Sequence, residues 1–460
     1  MLKLPQQIRP ASIVGYFGLA IVHAWIYIFN TGGEAAPLEL SSWQNIYVPI
    51  AFTMIALAIA ENKISGIATS IPGCIIASAS GIASAGMAMA FPNLASTSVI
   101  SLLCGGVFVG WAYSAWAEAY AKLDITQATF FLFGSGILAS VLKSLLYACP
   151  LNAVNACLAL LAPLAMFTAA KSVAMPSNNR RSALRFGRHD IKSFWKVAAI
   201  IVVFSLVVAN LLFDGDQSRA SSNPAASFYL GRLCEIVLCA CVLLWTFKLR
   251  KPFDFVQLWR IVLVISATDI LLRIAIPDLW FQTFFSSICV NFIVLFVWLT
   301  LCDIAQHSDY GALNVFSIGW SLYTLPLFVG VTFAQLSNGH TTENMFLTVM
   351  LYAALIVSTF CLELRDRDMQ LIFSDINSEA APEPQDFADI DKRCAAIAET
   401  KHLTGRELEV MQMLCKGRTK AYIAESMFVT ENTVKGHTKR LYTKLGVHSK
   451  KELQQLIDIE

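Results

Sequence analysis

Apolar residues run almost unbroken from near the N-terminus to Leu364, broken only by short polar punctuation. A helix needs about 20 such residues to cross the hydrocarbon core of a bilayer. Runs of that kind fall near 13–29, 45–60, 67–89, 97–117, 126–146, 151–170, 195–213, 226–247, 255–276, 279–301, 313–334 and 345–364. Connections such as "FPN" after Ala90 and "IPD" after Ala275 are so short that their flanking helices must be antiparallel neighbours. The pattern predicts twelve transmembrane helices over 1–364. Beyond Leu364 it changes: 365–401 is a polar spacer, with a short helix expected around Phe387–Thr400, and 402–460 shows helical periodicity in four short segments. The predicted fold class is all-α: a twelve-helix transmembrane bundle followed by a small four-helix domain.

Composition agrees with a chain in two solvents. Of 460 residues, 56% are hydrophobic and 14% charged, against about 25% charged in soluble domains, which argues against an ordinary cytosolic enzyme. The net charge of +2 conceals an asymmetry, because charge is sparse up to Leu364 and dense from Arg365. With the N-terminus inside, the internal loops carry sixteen basic residues, while the external loops carry Arg219 alone. The positive-inside rule then supports the twelve-span count and places both termini in the cytoplasm. The first apolar run, after Lys3 and Arg9, is longer than a typical signal-peptide core. The basic stretch Lys171–Lys196 divides the spans six and six. That layout resembles the major facilitator superfamily, in which two six-helix halves rock about a site near the midplane. The loop "ENKISG" between the second and third spans lacks the Asp-Arg and Gly-Arg-Arg pattern that many such transporters carry there, so the resemblance is one of architecture.

Ionisable residues inside spans are costly and usually face a partner or a cavity. Arg232 and Glu235 are three residues apart and Asp269 and Arg273 four apart, so each pair can meet on one helix face; Lys143 sits near the end of the fifth span. Two readings remain open: self-paired charges, or a polar pocket for an unknown small-molecule ligand built from Lys143, Arg232, Glu235, Asp269 and Arg273. His23 reads as a packed histidine. Gly73, Ala77, Gly81 and Ala85 form a small-residue stripe suited to close helix packing. Of the twelve cysteines most lie in apolar runs, there is no CxxC pair, and no Cys/His cluster has zinc spacing. Nucleophile elbows, P-loops and GxGxxG fingerprints are absent. No metal, cofactor or catalytic chemistry is expected.

The C-terminal segment carries the sharper signal. Thr404 and Glu407 form a capping box ahead of a stripe of Leu408, Met411, Leu414 and Cys415, closed by Gly417. Thr419 caps a second helix, "KAYIAESM", with Ile423, Ala424 and Met427 inward. Thr430 caps a third, "ENTVKGHTKRLYTKL", which stops at Gly446. Ser449 and Glu452 cap a fourth, with Leu453, Leu456 and Ile457 on one side. From Lys401 onward there are 11 Lys/Arg and 7 Asp/Glu, a net +4, and the positive charge concentrates on the third helix. Helix, short turn and longer basic helix is the helix-turn-helix layout.

The string from Leu403 to Leu453, with Leu403, Thr404, Arg406, Glu407, Glu409, Val410, Leu414, Gly417, Ile423, Ala424, Val429, Thr433, Val434, Lys435, His437, Lys444, Leu445, Gly446 and Val447, closely resembles the LuxR-type helix-turn-helix domain. The resemblance implies binding to double-stranded DNA through Lys420, Thr430, Asn432, Thr433, Lys435, His437, Lys439, Arg440 and Lys444. Lys435 and Lys439 are the expected base readers; Thr433, His437 and Lys444 are expected on the backbone. Gly436 departs from members with a side chain there. The resemblance further implies a homodimer on DNA through Leu453, Leu456 and Ile457, with RNA polymerase as a partner. The combined reading is a membrane-embedded transcriptional regulator that senses a small molecule, with a secondary transporter carrying a DNA-binding tail as the alternative.

Overall fold

In a computed structural model of the chain the described residues are 15–31, 46–90, 95–123, 125–173, 198–199, 201–206, 208–209, 224–248, 268, 282–307, 310–336, 387–415, 423–424, 426–427, 429–447 and 452–453. They are helical, with no strand among them. The chain divides into two compact units, Met1–Ile376 and Asn377–Glu460.

In the first unit the described helices are α1 (Leu19–Thr31), α2 (Tyr47–Glu61), α3 (Ile71–Ala90), α4 (Ala95–Tyr120), α5 (Ile125–Tyr147), α6 (Leu151–Val173), α7 (Pro224–Lys248), α8 (Gln282–His307) and α9 (Ala312–Leu336). These fall on nine of the twelve expected spans. The span at 195–213 is described only in part, with 201–206 helical, and the spans at 255–276 and 345–364 lie outside the described residues but for Thr268. Among the described residues six helices are long and apolar enough to cross a membrane: Ile71–Ala90, Val99–Tyr120, Ile125–Tyr147, Leu151–Val173, Ala225–Thr246 and Ala312–Thr332. Three shorter apolar ones accompany them at Leu19–Phe29, Tyr47–Glu61 and Val290–Gln306.

Large apolar side chains point outward where a soluble protein would place charge. Ile71, Ile75 and Ile76 on α3, Leu160 and Phe167 on α6, and Leu233 and Val237 on α7 are all exposed. Such a surface is stable against lipid and unfavourable in water. Inward, the stripe on α3 packs as its spacing predicts: Gly73, Ala77, Gly81 and Ala85 are buried. A Cβ added to Gly81 would come within 2.5 Å of the Ala162 Cβ on α6, so the α3–α6 approach depends on that glycine.

The turn after α2 is held by its own acid. Glu61 accepts hydrogen bonds from the backbone N–H groups of Gly66 at 2.7 Å and Ile67 at 3.1 Å. This satisfies polar backbone at a helix junction, and Gly66 supplies the left-handed conformation there with φ +72°. Lys122 after α4 donates to the Val173 carbonyl at the end of α6 at 2.6 Å.

The second unit contains α10 (Phe387–Thr400), α11 (Gly405–Cys415) and α12 (Glu431–Leu445). The second and fourth expected helices are described only in part, with 423, 424, 426 and 452–453 helical. The expected helix at Phe387–Thr400 is present, but it is not part of a spacer. Cys394 and Ile397 are buried with Val410, Met411, Leu414, Ile423, Val434 and Leu441 in one apolar core. Burying those side chains adds α10 to the folded unit and moves its start well ahead of residue 402.

Candidate functional site

Two sets of residues carry chemistry, one in each unit. In the second unit, α11 is fixed at its start by reciprocal capping. The Thr404 N–H donates to Glu407 Oε2 at 2.9 Å and the Glu407 N–H donates to Thr404 Oγ1 at 3.4 Å. Met411, Leu414 and Cys415 are buried and Leu408 packs against them. Ile423, Ala424 and Met427 face the same core.

Helix α12 is capped by Thr430, whose Oγ1 accepts from the Thr433 N–H at 3.3 Å. It ends at Gly446, held at φ +69°, where a β-carbon would be strained. Val434, Thr438, Leu441 and Leu445 are buried and pin one side of the helix to the core. The other side is exposed and carries Asn432, Thr433, Lys435, Lys439 and Arg440. Asn432, Lys435 and Lys439, three and four apart, lie along one line of that face. His437 and Gly436 are half-buried at its edge. The structure therefore presents a rigid helix with a basic, solvent-facing ridge, as groove insertion requires. Thr430 and Thr433 engage each other, with their hydroxyls 2.9 Å apart, which makes Thr430 a helix cap. Lys420 lies outside the described residues.

Two of the expected site residues have partners within the unit itself. Lys444, read as a phosphate contact, donates from Nζ to Glu407 Oε2 at 2.7 Å and to the His402 carbonyl at 3.1 Å. It ties the end of α12 to the start of α11. Burial acts to raise the Glu407 carboxyl; the Lys444 hydrogen bond and the two Thr404 contacts outweigh it and hold the carboxyl at about 2. The second is Leu453, expected at a dimer interface. It is 0% exposed and belongs to the domain's own core, so its apolar character is explained within one copy. Leu456 and Ile457 lie outside the described residues.

In the membrane unit, three of the five ionisable residues singled out in the spans come together. Arg232 Nη2 lies 2.9 Å from Glu235 Oε1, both on α7, and Lys143 Nζ on α5 lies 3.9 Å from Glu235 Oε2. Ser140 Oγ donates to Glu235 Oε2 at 2.6 Å. Lys143, Arg232 and Glu235 are each no more than 4% exposed. Aromatic faces complete the shell: the Tyr27 ring of α1 lies 4.8 Å from Lys143 Nζ and 4.7 Å from the Arg232 guanidinium carbon, and Phe228 lies 5.3 Å from the latter. Such contacts compensate part of the lost hydration of the cations. Sequence reasoning did not find Ser140, Tyr27 or Phe228; single polar or aromatic residues in an apolar run give no local signal. Asp269 and Arg273 lie outside the described residues. His23 is buried among rings, edge-on to Tyr113 at 6.0 Å. Among the described residues no group of three or more His, Cys, Asp and Glu could hold a metal, and no cysteine forms a disulfide.

Comparison with known proteins assigns a family to one part and a fold to the other. Residues 401–457 match the family described as bacterial regulatory proteins, luxR family. The oxygen regulatory proteins NreC of Staphylococcus aureus strains JH9 and NCTC 8325 / PS 47 are each 37% identical to this chain over 86 residues. That segment is 19% of this chain and 37% of each relative, so the chain spans little more than a third of the length of those relatives. Among solved structures, the human organic anion transporter MFSD10 (TETRAN) matches with a TM-score of 0.53 at 13% identity. The match covers 77% of this chain and all of that one. At that identity the likeness is one of fold, and it is a facilitator-type fold. The chain carries a LuxR-type, DNA-binding helix-turn-helix domain at residues 401–457, on a unit whose described residues include six helices long and apolar enough to cross a membrane.

Proposed function

We propose that the chain, bearing a LuxR-type domain on a facilitator-like membrane unit, is a transcriptional regulator embedded in the bacterial inner membrane. Its membrane unit senses a small molecule and its C-terminal unit binds operator DNA; it catalyses no reaction. Both termini face the cytoplasm, as DNA access requires. Lys435 and Lys439 read base edges in the major groove. Asn432, Thr433, His437, Arg440 and Lys420 position the helix on sugar and phosphate. Two copies pair on half-sites one helical turn apart, with Leu456 and Ile457 on the pairing side, and the bound dimer acts on RNA polymerase. The observation that carries the sensing half is the buried Lys143–Arg232–Glu235 cluster joining α5 and α7. Buried charges of this kind are expensive in a membrane and mark a place where a ligand can shift an equilibrium between packed states.

The test is chromosomal occupancy of the full-length protein. Wild type should occupy discrete sites, with occupancy changing between growth conditions. Lys143→Met, still present in the membrane, should occupy the same sites without that response. Occupancy that ignores both growth condition and Lys143→Met would reject the sensing half. The facilitator-type fold favours one second reading, a transporter with a DNA-binding tail. Uptake assays in vesicles distinguish it, since a regulator need move nothing across the bilayer.

A further inference from the structure

If the membrane unit senses a ligand, a second set of unmet groups in it speaks to that ligand's chemistry. Trp116 on α4, Trp298 on α8 and Trp320 on α9 are no more than 2% exposed, and among the described residues none of their indole N–H groups has a hydrogen-bond partner. His23 Nε2 on α1 is also buried without a partner. More than 90% of buried polar groups are satisfied in native structures, and a buried indole N–H usually finds an acceptor. Here three unmet indole donors fall in one continuous aromatic network. Tyr113 lies 5.4 Å from Trp298 and 5.1 Å from Trp320, and the two tryptophans are 5.8 Å apart. His23 is 6.3 Å from Trp298, and Trp116 joins through Tyr120. An indole can only donate, so the network asks for an acceptor from outside the described residues.

The ionic cluster is unbalanced in the matching sense. Among the described residues Glu235 is the carboxylate that the structure pairs with Lys143 and with Arg232, which leaves two buried cations on one anion. Arg232 Nε is buried and without a partner as well. The two sets share α1: Tyr27, beneath both cations, is four residues from His23 and so one turn along the same face. Rings, unmet donors and surplus positive charge thus adjoin one another, in contacts contributed by α1, α4, α5, α7, α8 and α9.

We propose that the ligand is a small aromatic carboxylate, its carboxylate taken by Lys143 and Arg232 and its ring by His23, Tyr113, Trp298 and Trp320, whose N–H groups meet further oxygen substituents. This deepens the sensing reading and rests on it. The test uses the full-length protein in lipid nanodiscs. Benzoate, 3-phenylpropionate and 4-hydroxybenzoate are titrated against benzamide, cyclohexanecarboxylate and chloride, read by thermal shift and tryptophan fluorescence. At least one aromatic carboxylate should bind saturably and at least about tenfold tighter than each of the three comparison compounds. Lys143→Met should weaken it by about tenfold and erase the preference for carboxylate over amide. Trp298→Phe should weaken 4-hydroxybenzoate by about tenfold, the worth of one buried hydrogen bond, and benzoate, which lacks the ring oxygen, by less. Should Lys143→Met fail to fold, Trp298→Phe decides alone.

Equal binding of benzamide, equal effects of chloride or cyclohexanecarboxylate, or no saturable response to any of the three aromatic acids would overturn the assignment. Failure here is separable from failure of the sensing reading. If a neutral compound binds and shifts operator occupancy in cells, the sensor stands and the carboxylate falls. If occupancy ignores growth condition and Lys143→Met, the sensing reading itself falls.

Discussion

The contact between Glu407 and Lys444 should make the C-terminal unit lose stability in acid, and Glu407→Gln should remove that sensitivity. The Glu407 carboxyl is held at about 2 in the folded unit, against about 4.5 for an ordinary glutamate. Each unit of displacement is worth about 1.4 kcal/mol, so the whole displacement corresponds to roughly 3 kcal/mol. The Lys444 side chain is 37% exposed, and water screens part of that attraction; about 2 kcal/mol is the working figure. The sign follows from linkage. A carboxyl whose folded value is depressed contributes fully above its unfolded value, near pH 4.5, and loses the contribution as pH falls toward 2. The unit from Asn377 to Glu460 has its own core, so urea unfolding followed by circular dichroism can be run on it alone. Wild type should lose about 2 kcal/mol more than Glu407→Gln between pH 6 and pH 2.5, and Lys444→Met should flatten the same window. Parallel pH profiles for wild type and Glu407→Gln would refute the reasoning.

Three further outcomes are expected. Lys435→Ala should cost roughly 1–3 kcal/mol on the cognate operator and little on unrelated DNA, measured by fluorescence anisotropy at fixed salt; an equal loss on both would reassign Lys435 to the backbone. Gly436→Ala should raise the stability of the C-terminal unit by about 1 kcal/mol in urea, since a Cβ there meets nothing nearer than an Arg440 nitrogen at 4.0 Å; no gain would mean that the helix at Gly436 is not well formed in solution. Glu235→Gln should destabilise the membrane unit by several kcal/mol in a thermal assay, because it leaves Lys143 and Arg232 buried without their anion; an unchanged midpoint would show that water reaches the cluster.

The elements were legible where a physical rule acts over a few residues. The membrane helices announced themselves because lipid demands about 20 apolar residues in a row. The capping box at Thr404 and Glu407, the cap at Thr430 and the stop at Gly446 were readable because orphan backbone groups at helix ends need particular side chains nearby. The inward stripe of Ile423, Ala424 and Met427 followed from helical periodicity. Helix α10 was visible as a helix, but its acidic neighbourhood hid that Cys394 and Ile397 complete the core of the unit behind it. Composition averages over faces and so misses a helix whose apolar face is narrow.

What was not legible are the partners that depend on tertiary approach. Lys444 meets Glu407 across 37 residues and Ser140 meets Glu235 across 95; no local spacing encodes either. The consequence differs between the two sites. On α12, Lys444 ties the end of that helix to the start of α11, through Glu407 and the His402 carbonyl. In the membrane unit, the pairing of Arg232 with Glu235 was foreseeable from their spacing, yet pairing alone would make the site neutral and inert. Lys143 arrives from α5 and leaves the cluster with more cation than anion. A reading confined to one helix would have recorded a satisfied salt bridge. The three-dimensional arrangement instead leaves two buried cations on one carboxylate beside unmet indole donors, and the proposed ligand site rests on that difference.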